Sequence, residues 1–214
     1  ADLDGDDRLA SYFNWTDPSR VTDLFTEELQ HRLQSEDSEN ILLTSLGRLS
    51  SHVPSINRML YLETKHFLTD HNLNYTDKMG MAAGVEVRVP LLDVELVDFA
   101  STLPVNYKQN GRIGKWIFKK AMEPYLPQDV IYRPKTGFGA PLRHWLRNDL
   151  KDMVNDVLSE ASLKHRGIFN YRQVRDLVEQ DKAGNVDAAY TIFGLMCIEI
   201  WCRIFLDRDI KKGY

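Results

Sequence analysis

The segment that decides the interpretation of this chain reads Gly84-Val85-Glu86-Val87-Arg88-Val89-Pro90-Leu91-Leu92-Asp93. Three valines alternate with Glu86 and Arg88, so an extended backbone places both charges on one face. Pro90 lacks a backbone N–H and ends strand pairing. We therefore predict a short strand at Val85–Val89. Its charged pair either lines a phosphate and carboxylate pocket or forms ion pairs that brace the fold.

Two lysines beyond this segment are candidates for binding an anion. Lys135 lies in the run Arg133-Pro134-Lys135-Thr136-Gly137-Phe138-Gly139-Ala140-Pro141, and a lysine held on such a Pro/Gly loop can stabilise a pyrophosphate leaving group. Lys115 follows Gly114 and opens a predicted helix, where free N–H groups favour anions. The alternative for both residues is an ordinary solvated lysine.

An acidic cluster surrounds Gly5 near the first residue of the sequence, formed by Asp2, Asp4, Asp6 and Asp7. Carboxylates on a glycine-containing turn can hold Mg²⁺, which prefers oxygen ligands and phosphate partners. The alternative is a frayed and solvated segment. The spacing does not match a calcium-binding EF-hand loop, because no glutamate follows at the required offset.

Composition excludes several classes of protein. The 214 residues carry a net charge of -4, which gives no overall attraction to nucleic acid or membrane surfaces. No apolar run reaches the roughly 20 residues that a membrane-spanning helix needs, and no secretory leader opens the sequence. Cys197 and Cys202 lie in one apolar segment and are predicted to be buried free thiols. We therefore expect a cytoplasmic protein that binds neither nucleic acid nor membrane.

The hydrophobic pattern is mostly helical, with apolar residues spaced three and four apart. Thr16-Asp17-Pro18 is typical of a cap before the first predicted helix. We predict helices at Val21–Arg32, Ile56–Leu68, Val94–Ser101, Gly114–Met122, Leu142–Leu158, Tyr171–Lys182 and Ala188–Leu206. The last helix is broadly apolar and is predicted to be buried.

Several motifs follow one another in a specific order. Residues 67–81 (Phe-Leu-Thr-Asp-His-Asn-Leu-Asn-Tyr-Thr-Asp-Lys-Met-Gly-Met) lead directly into the 84–93 segment. Residues 114–121 (Gly-Lys-Trp-Ile-Phe-Lys-Lys-Ala), Leu126-Pro127, residues 133–141 and Trp145 come next. In this order they resemble the C-terminal synthetase region of glutamine-dependent asparagine synthetases, over roughly residues 55–150.

This resemblance implies a fold. It implies a mostly α chain that forms the helical C-terminal portion of an adenine-nucleotide α-hydrolase-like (PP-loop) synthetase domain, without the parallel-sheet part that carries the ATP loop. We predict a single domain over residues 1–214. Residues 1–15 would be a remnant of the family's acidic glycine loop, residues 55–150 the motif-bearing core, and residues 151–214 a helical C-terminal segment.

The resemblance also implies a reaction. In that family, aspartate and Mg-ATP form an aspartyl-adenylate and pyrophosphate, and ammonia released from glutamine by a separate N-terminal domain attacks the adenylate. Lys135 is then the lysine near the pyrophosphate and the transition state, and Glu86 is a second catalytic candidate. Asp77 and Arg88 belong to the segment that shapes the site, and with Lys115 they are candidates for binding the nucleotide.

The first residues match the acidic glycine loop only in part. An alignment without gaps puts Asp6 on the magnesium-ligand aspartate and Asp7 on the following acid, which makes Asp7 a further nucleotide-binding candidate. Leu3 falls on the acidic position that is important for adenylate formation, unless Asp4 substitutes for it. Gly80 stands where a serine is common.

Two family motifs are absent from the 214 residues. The Ser-Gly-Gly-x-Asp-Ser pyrophosphate loop and the N-terminal cysteine nucleophile for glutamine hydrolysis would both lie upstream. The expected partners are therefore these upstream ATP-loop and glutaminase portions of the same protein, together with aspartate and ATP. We expect the isolated chain to be inactive and prone to self-association. The alternatives are a non-catalytic helical module derived from this fold, or a related synthetase with another carboxylate substrate.

Overall fold

The computed structural model describes residues 3, 5–14, 16, 18–35, 40–134 and 139–207. Helices dominate these ranges, which confirms the predicted mostly α fold class. The α-helices are α1 (Gly5–Ser11), α2 (Pro18–Asp23), α3 (Glu27–Ser35), α4 (Ile41–Gly47), α5 (Ser55–Leu62), α6 (Asn74–Ala82), α7 (Val94–Thr102), α8 (Val105–Lys108), α9 (Trp116–Met122), α10 (Gln128–Ile131), α11 (Leu142–Arg147), α12 (Lys151–Val157), α13 (Glu160–Arg166), α14 (Tyr171–Lys182) and α15 (Ala189–Phe205).

Three further kinds of element complete the described part of the chain. A π-helix (Glu63–Leu73) joins α5 to α6, and a 3-10 helix (Pro90–Leu92) precedes α7. Strands β1 (Gln109–Asn110) and β2 (Ile113–Gly114) form a small antiparallel hairpin. These two strands are the only ones among the described residues, so the fold holds no extended sheet within those ranges.

The chain divides into two compact units. Unit 1 comprises Ala1–Ala10 and Asn40–Thr136, and unit 2 comprises Ser11–Glu39 and Gly137–Tyr214. The predicted assignment of all 214 residues to one domain stays a prediction.

Unit 2 has a continuous hydrophobic core. Helix α15 packs against α11, α12 and α14, and the apolar face of each helix points inward. The buried core consists of Leu24, Leu146, Val154, Val157, Leu158, Leu163, Phe169, Val174, Val178, Ala188, Ala189, Ile192, Leu195 and Met196.

Two buried carboxylates in unit 2 are fully engaged. Glu199 on α15 accepts hydrogen bonds from Arg166 Nε (2.9 Å), Arg203 Nε (3.0 Å) and Ser162 Oγ (2.9 Å). Burial raises the pKa of Glu199, but these three donors outweigh it and leave the pKa below its ordinary value. An ionised carboxylate buried in this way stabilises the fold only while its donors remain.

Asp181 on α14 is the second buried carboxylate of this core, and it is also hydrogen-bonded. Its Oδ2 accepts a hydrogen bond from Arg147 Nε (2.8 Å), and its Oδ1 accepts one from the Ala188 N–H (2.9 Å) that precedes α15. The hydrogen bond from Arg147 lowers the pKa of Asp181 against the opposing effect of burial. Asp181 therefore fixes the start of α15, and Glu199 ties the C-terminal half of the helix to α13.

Unit 1 has very little core. Its hydrophobic residues that are buried are Ala10, Leu46 and Leu62, and the buried polar residue is Ser45, whose Oγ lies 3.0 Å from His66 Nε2. On the π-helix, the ring of the half-buried Phe67 stacks on the ring of the exposed His71 at 4.8 Å between ring centroids. Among the described residues, burial of one alanine and two leucine side chains offsets little of the conformational entropy lost on ordering this unit.

Two predicted helices are interrupted in the structure. The helix predicted at Val21–Arg32 breaks between α2 and α3, because the backbone there pairs with a distant segment instead. Asn170 N–H donates to Leu24 O (2.8 Å), and Thr26 N–H donates to Ile168 O (3.0 Å). This tertiary pairing overrides the local helical pattern.

The helix predicted at Leu142–Leu158 breaks between α11 and α12. Asn148 ends α11, and its side-chain Nδ2 donates to His144 O (3.0 Å). An asparagine side chain that bonds a nearby carbonyl competes with the helical ladder. The helix predicted at Tyr171–Lys182 is confirmed at both ends.

The prediction that both cysteines are buried is wrong for one of them. Cys202 is buried, whereas Cys197 is exposed, and both thiols are free. The cause is that only one face of α15 packs on the core, while its other face presents apolar side chains to solvent, among them Tyr190, Phe193, Ile198, Trp201 and Phe205. No helix of the described residues combines the length and the apolar character needed to cross a membrane.

Candidate functional site

The 84–93 segment leaves α6 through a tight glycine turn. Gly84 adopts φ 69°, the left-handed conformation that favours glycine. Its N–H donates to Met81 O (3.0 Å), and the Val85 N–H donates to Gly80 O (2.9 Å). This pair of bonds is the Schellman arrangement that terminates helices, and it turns the chain sharply back along α6.

The same turn also requires a glycine at position 80, because atoms of Val85 and Val87 approach Gly80 closely. A Cβ at this position would lie 2.8 Å from Val85 O and 2.9 Å from Val87 Cγ2, so any side chain would force the backbone apart. The local geometry thus explains the glycine at a position where the resemblance would favour serine.

The strand predicted at Val85–Val89 does not form. These residues adopt no regular secondary structure, and all five are exposed. The physical reason is that a strand needs a partner for its backbone N–H and C=O groups, and the described residues provide none next to this segment. The alternation of valines indicates a surface suited to pairing, but pairing itself depends on a neighbour.

Glu86 and Arg88 do share one side of the segment, as their spacing predicts. Arg88 Nε donates to Glu86 Oε1 at 2.9 Å, and the side chains are 81% and 67% exposed for Arg88 and Glu86 respectively. An ion pair this exposed contributes about 0–1 kcal/mol to stability. The pair therefore stabilises the fold little, and both groups remain accessible from solvent.

Asp77 and Asp7 are exposed carboxylates. Asp77 lies on α6, and Asp7 lies in the first turn of α1. Neither carboxylate forms a hydrogen bond or an ion pair with another residue that the structure describes. Both are therefore open to a cation or to a ligand donor.

Asp6 has a different environment from its neighbour. Arg58 binds both of its carboxylate oxygens, through Nε to Oδ1 (2.8 Å) and through Nη2 to Oδ2. Arg58 also donates to Leu46 O (3.2 Å) and Ser50 O (3.2 Å), and its side chain is only 11% exposed. Asp6 thus holds α1 against the segment between α4 and α5. Its predicted role as a metal ligand stays a prediction.

Lys115 is the only non-glycine residue with positive φ among the described residues. It adopts φ 56° and ψ 36° as the N-cap of α9. A side chain in this left-handed conformation costs energy and is found most often at turns and functional positions. Lys115 directly follows strand β2, so the β1–β2 hairpin fixes the position of its backbone.

Lys135 lies outside the described residues, together with the rest of residues 135–138. The segment before it is anchored by a cluster that the sequence analysis missed. Tyr132 Oη (2.6 Å) and Lys120 Nζ (2.8 Å) both donate to Glu123 Oε1. The Lys120–Glu123 spacing of three on a helix indicates that contact, but nothing in the sequence pattern indicates the contact with Tyr132.

These hydrogen bonds shift the pKa values of Glu123, Lys120 and Tyr132. Donation from Lys120 and Tyr132 lowers the pKa of Glu123, and the bond to Glu123 raises the pKa of both donors. At neutral pH, Lys120 and Glu123 are therefore ionised and Tyr132 is a neutral donor, and the cluster holds the chain next to the lysine loop.

The site residues of unit 1 that the structure describes are spread over α1, α6, the 84–93 segment and the start of α9, and within this described set the one contact is the Glu86–Arg88 pair. Within the described ranges, no group of three or more His, Cys, Asp and Glu side chains is placed to hold a metal ion. Unit 2 contains an apolar groove of about 520 Å³, and its lining includes the aromatic residues Phe13, Phe25, Phe169 and Tyr190. None of the predicted site residues that the structure describes lines this groove.

Comparison with known proteins gives a consistent result. The family model described as asparagine synthase matches residues 6–203. Asparagine synthetase [glutamine-hydrolyzing] 1 of Bacillus subtilis is 29% identical over 195 residues, which are 89% of this chain and 30% of that protein. Asparagine synthetase [glutamine-hydrolyzing] 3 of Arabidopsis thaliana is 36% identical over 95 residues, 41% of this chain and 16% of that protein.

A putative asparagine synthetase [glutamine-hydrolyzing] of Mycobacterium tuberculosis is 29% identical over 154 residues, 72% of this chain and 23% of that protein. The chain therefore spans less than a third of the length of these relatives. No solved structure matches it.

Proposed function

This chain belongs to the asparagine synthase family, and from that premise we propose that it forms part of an ATP-dependent ligase that converts aspartate to asparagine. An aspartate carboxylate oxygen attacks the α-phosphorus of ATP, so that pyrophosphate leaves and an aspartyl-adenylate forms. Ammonia, released from glutamine by another part of the polypeptide, attacks the activated carbonyl carbon and displaces AMP. The ordered motif set between residues 55 and 150 carries this proposal.

We assign two catalytic roles within this reaction. Lys135 stabilises the negative charge that develops on the leaving pyrophosphate, because an ammonium group placed there acts where charge forms. Glu86 contributes a carboxylate at the reacting centre. Its exposure and its contact with Arg88 support this assignment.

Four residues are proposed to bind the nucleotide. Arg88 and Lys115 supply positive charge for phosphate oxygens, and the exposed carboxylates of Asp77 and Asp7 are open to ribose hydroxyls or to the cation that accompanies ATP. The strained backbone of Lys115 supports its inclusion, since such conformations cluster at functional positions.

Asp6 is proposed as the ligand of Mg²⁺. A carboxylate has about four lone-pair sites, so the two hydrogen bonds from Arg58 leave each oxygen able to accept a further contact. The positive charge of Arg58 opposes a cation at that point. Binding at Asp6 therefore depends on the phosphates of ATP, which bring compensating negative charge.

The isolated chain is proposed to be inactive, because the pyrophosphate loop and the glutaminase portion are absent from its sequence. The experiment is aspartate-dependent ATP–pyrophosphate exchange with Mg²⁺, on this chain alone and on the reading frame extended upstream. We expect exchange only in the extended protein. Absence of exchange in an extended protein that is folded would contradict the proposal.

A variant pair tests the role of Lys135 in the extended protein. We expect Lys135→Ala to lower the rate of exchange by about 100- to 1,000-fold, the usual effect of removing one group that stabilises transition-state charge. Lys151→Ala is the matched control, because Lys151 is an exposed lysine on α12 of unit 2. Equal rates for the two variants would remove Lys135 from the mechanism.

A second function is favoured by one observation, the engagement of Asp6 by Arg58. Together with Leu3 at the position where the resemblance expects an acid, it fits a non-catalytic helical module derived from the same fold. A reading frame that begins near Ala1 would support the module. An extended protein that exchanges pyrophosphate with a different carboxylate would instead support a related synthetase with another substrate. A cytoplasmic location stays a prediction in each case.

A further inference from the structure

The surface of unit 1 around α6 and the segment that follows it is densely apolar and exposed. Within sixteen positions, seven large apolar side chains are more than two-fifths exposed: Met79 (64%), Met81 (59%), Val85 (56%), Val87 (44%), Val89 (44%), Leu91 (59%) and Val94 (73%). So many exposed apolar side chains in a short stretch are typical of an interaction surface.

The backbone of the same segment is also unpaired. The N–H groups of residues 86–89 form no backbone hydrogen bond with any residue that the structure describes. Val85 is held by Gly80, and the carbonyl of Val89 accepts from the Leu92 N–H (2.9 Å). The residues between these two points therefore present a row of free donors and acceptors, as an edge strand does.

The side chains divide this segment into two different faces. Val85, Val87 and Val89 alternate with Glu86 and Arg88, and the ion pair between the two charged residues places them on one side. Valine is well suited to a strand that packs one face against an apolar surface. The charged face can remain in solvent, so pairing would bury the valines without burying an unpaired charge.

We propose that residues 85–89 add as a strand to the edge of a β-sheet in the part of the synthetase polypeptide that these 214 residues do not cover. Main-chain hydrogen bonds would supply the pairing, and the three valines would join the apolar layer on one face of that sheet. Five residues of strand span about 17 Å, which is an ordinary strand length. The inference rests on the proposed function, since it takes the chain to be one part of a larger synthetase.

Two observations favour another part of the same polypeptide as the partner of this strand: the length of the relatives and the small core of unit 1. The matched region is 30% of the Bacillus subtilis relative, so most of such a polypeptide lies outside these residues. Unit 1 buries only Ala10, Leu46 and Leu62 among its described hydrophobic residues. A unit with so small a core needs a covering partner, and a covalently joined partner has a high effective concentration.

The test is hydrogen–deuterium exchange of the segment's amides, in this chain alone and in the reading frame extended upstream. In the chain alone, we expect the amides of residues 86–89 to exchange close to their intrinsic rates. In the extended protein, we expect at least about 100-fold slower exchange at alternate residues, because only every second N–H of an edge strand points at its partner. Protection of none of these amides would overturn the proposal.

Two matched variants of the extended protein sharpen the test. Val87→Lys places a charge on the valine face, which the proposal buries, and should abolish the protection. Val130→Lys should not, since Val130 is a valine of unit 1 with similar exposure (51%) that lies in α10. Protection that survives Val87→Lys would overturn the proposed packing of the valines.

Other outcomes separate this inference from the proposed function. Alternate protection in an extended protein without aspartate-dependent exchange would support the strand and contradict the chemistry. Concentration-dependent protection in the chain alone would identify a second copy as the partner and overturn the proposed occupant. A reading frame that does not extend upstream would also overturn it.

Discussion

Unit 2 and unit 1 contain similar proportions of helix but differ in what those helices bury. In unit 2, α15 packs its inner face on three other helices, and two internal carboxylates are satisfied by arginines. In unit 1, a helical run from Ser55 to Ala82 buries only Leu62 and leaves its other apolar side chains half-buried or exposed. Both units therefore form helices from local sequence. Helices are stabilised mainly by tertiary packing, and unit 2 supplies that packing from its own residues.

The largest expected effect breaks the buried ion network of unit 2. Glu199→Ala leaves Arg166 and Arg203 without their shared partner in a desolvated site, and we expect a loss of about 3–5 kcal/mol in the free energy of unfolding. Glu160→Ala is the control, because Glu160 forms an exposed ion pair with Lys164 and its loss should cost about 0.3–0.5 kcal/mol. Denaturant titration of both variants decides between these values.

The next effect concerns the turn that positions the 84–93 segment in unit 1. Gly80→Ala drives a Cβ against Val85 O, and overpacking of this kind costs about 1–3 kcal/mol. The Val85 amide, which donates to Gly80 O, should then exchange about 10- to 100-fold faster with solvent deuterium.

Gly47→Ala is the control, because the same substitution is expected to stabilise the protein at this position. A Cβ at Gly47 meets nothing within 4 Å, so replacement should stabilise α4 by up to about 1 kcal/mol through helix propensity. Similar effects of the two alanines on amide exchange would show that the close approach at Gly80 is unimportant.

A smaller effect is expected at Lys115. Because the residue adopts a left-handed conformation, Lys115→Gly should stabilise the start of α9 by roughly 0.5–1 kcal/mol. Lys119→Gly, inside the same helix, should destabilise it by about 1 kcal/mol. Amide exchange along α9 reports both changes, and a destabilising Lys115→Gly would mean that the side chain holds the turn by its own contacts.

The smallest effect near neutral pH concerns the two internal carboxylates of unit 2. The pKa values of Asp181 and Glu199 are lower in the folded state than their ordinary values. Their contribution is therefore fully present above the unfolded values of about 4, and it is lost as pH falls through the folded values. We expect nearly constant thermal stability from pH 7 to pH 5 and a fall below about pH 4. Stability that rises on acidification would contradict this assignment.

The contrast between the units also explains what the sequence could predict. Helix α14 is predicted at both ends because its signals are local: an amphipathic period and Asn170, whose side chain accepts from the Arg172 N–H (3.0 Å). The break at Leu24–Thr26 depends on pairing with residues near 169, far along the chain. No local pattern contains that information.

The candidate site follows the same division. The contact between Glu86 and Arg88 could be predicted, since it joins residues two apart on one face. The pairing of Asp6 with Arg58 spans 52 residues and had no signal in the sequence. The predicted strand at Val85–Val89 was wrong because the alternation of valines indicates only which side chains share a face. A strand also needs a second segment whose backbone pairs with it, and the alternation does not indicate one. The predicted tendency to self-associate stays a prediction, and the exposed apolar face of α15 is a second surface that could produce it.

The position of α15 in the chain has a consequence for biosynthesis. This helix supplies Ala189, Ile192, Leu195 and Met196 to the core of unit 2, and it also carries Glu199. During translation, the helices that precede it emerge from the ribosome without the surface against which they pack. Unit 2 can close only after α15 has been synthesised, so until then the nascent chain depends on chaperones or on rapid elongation to avoid aggregation.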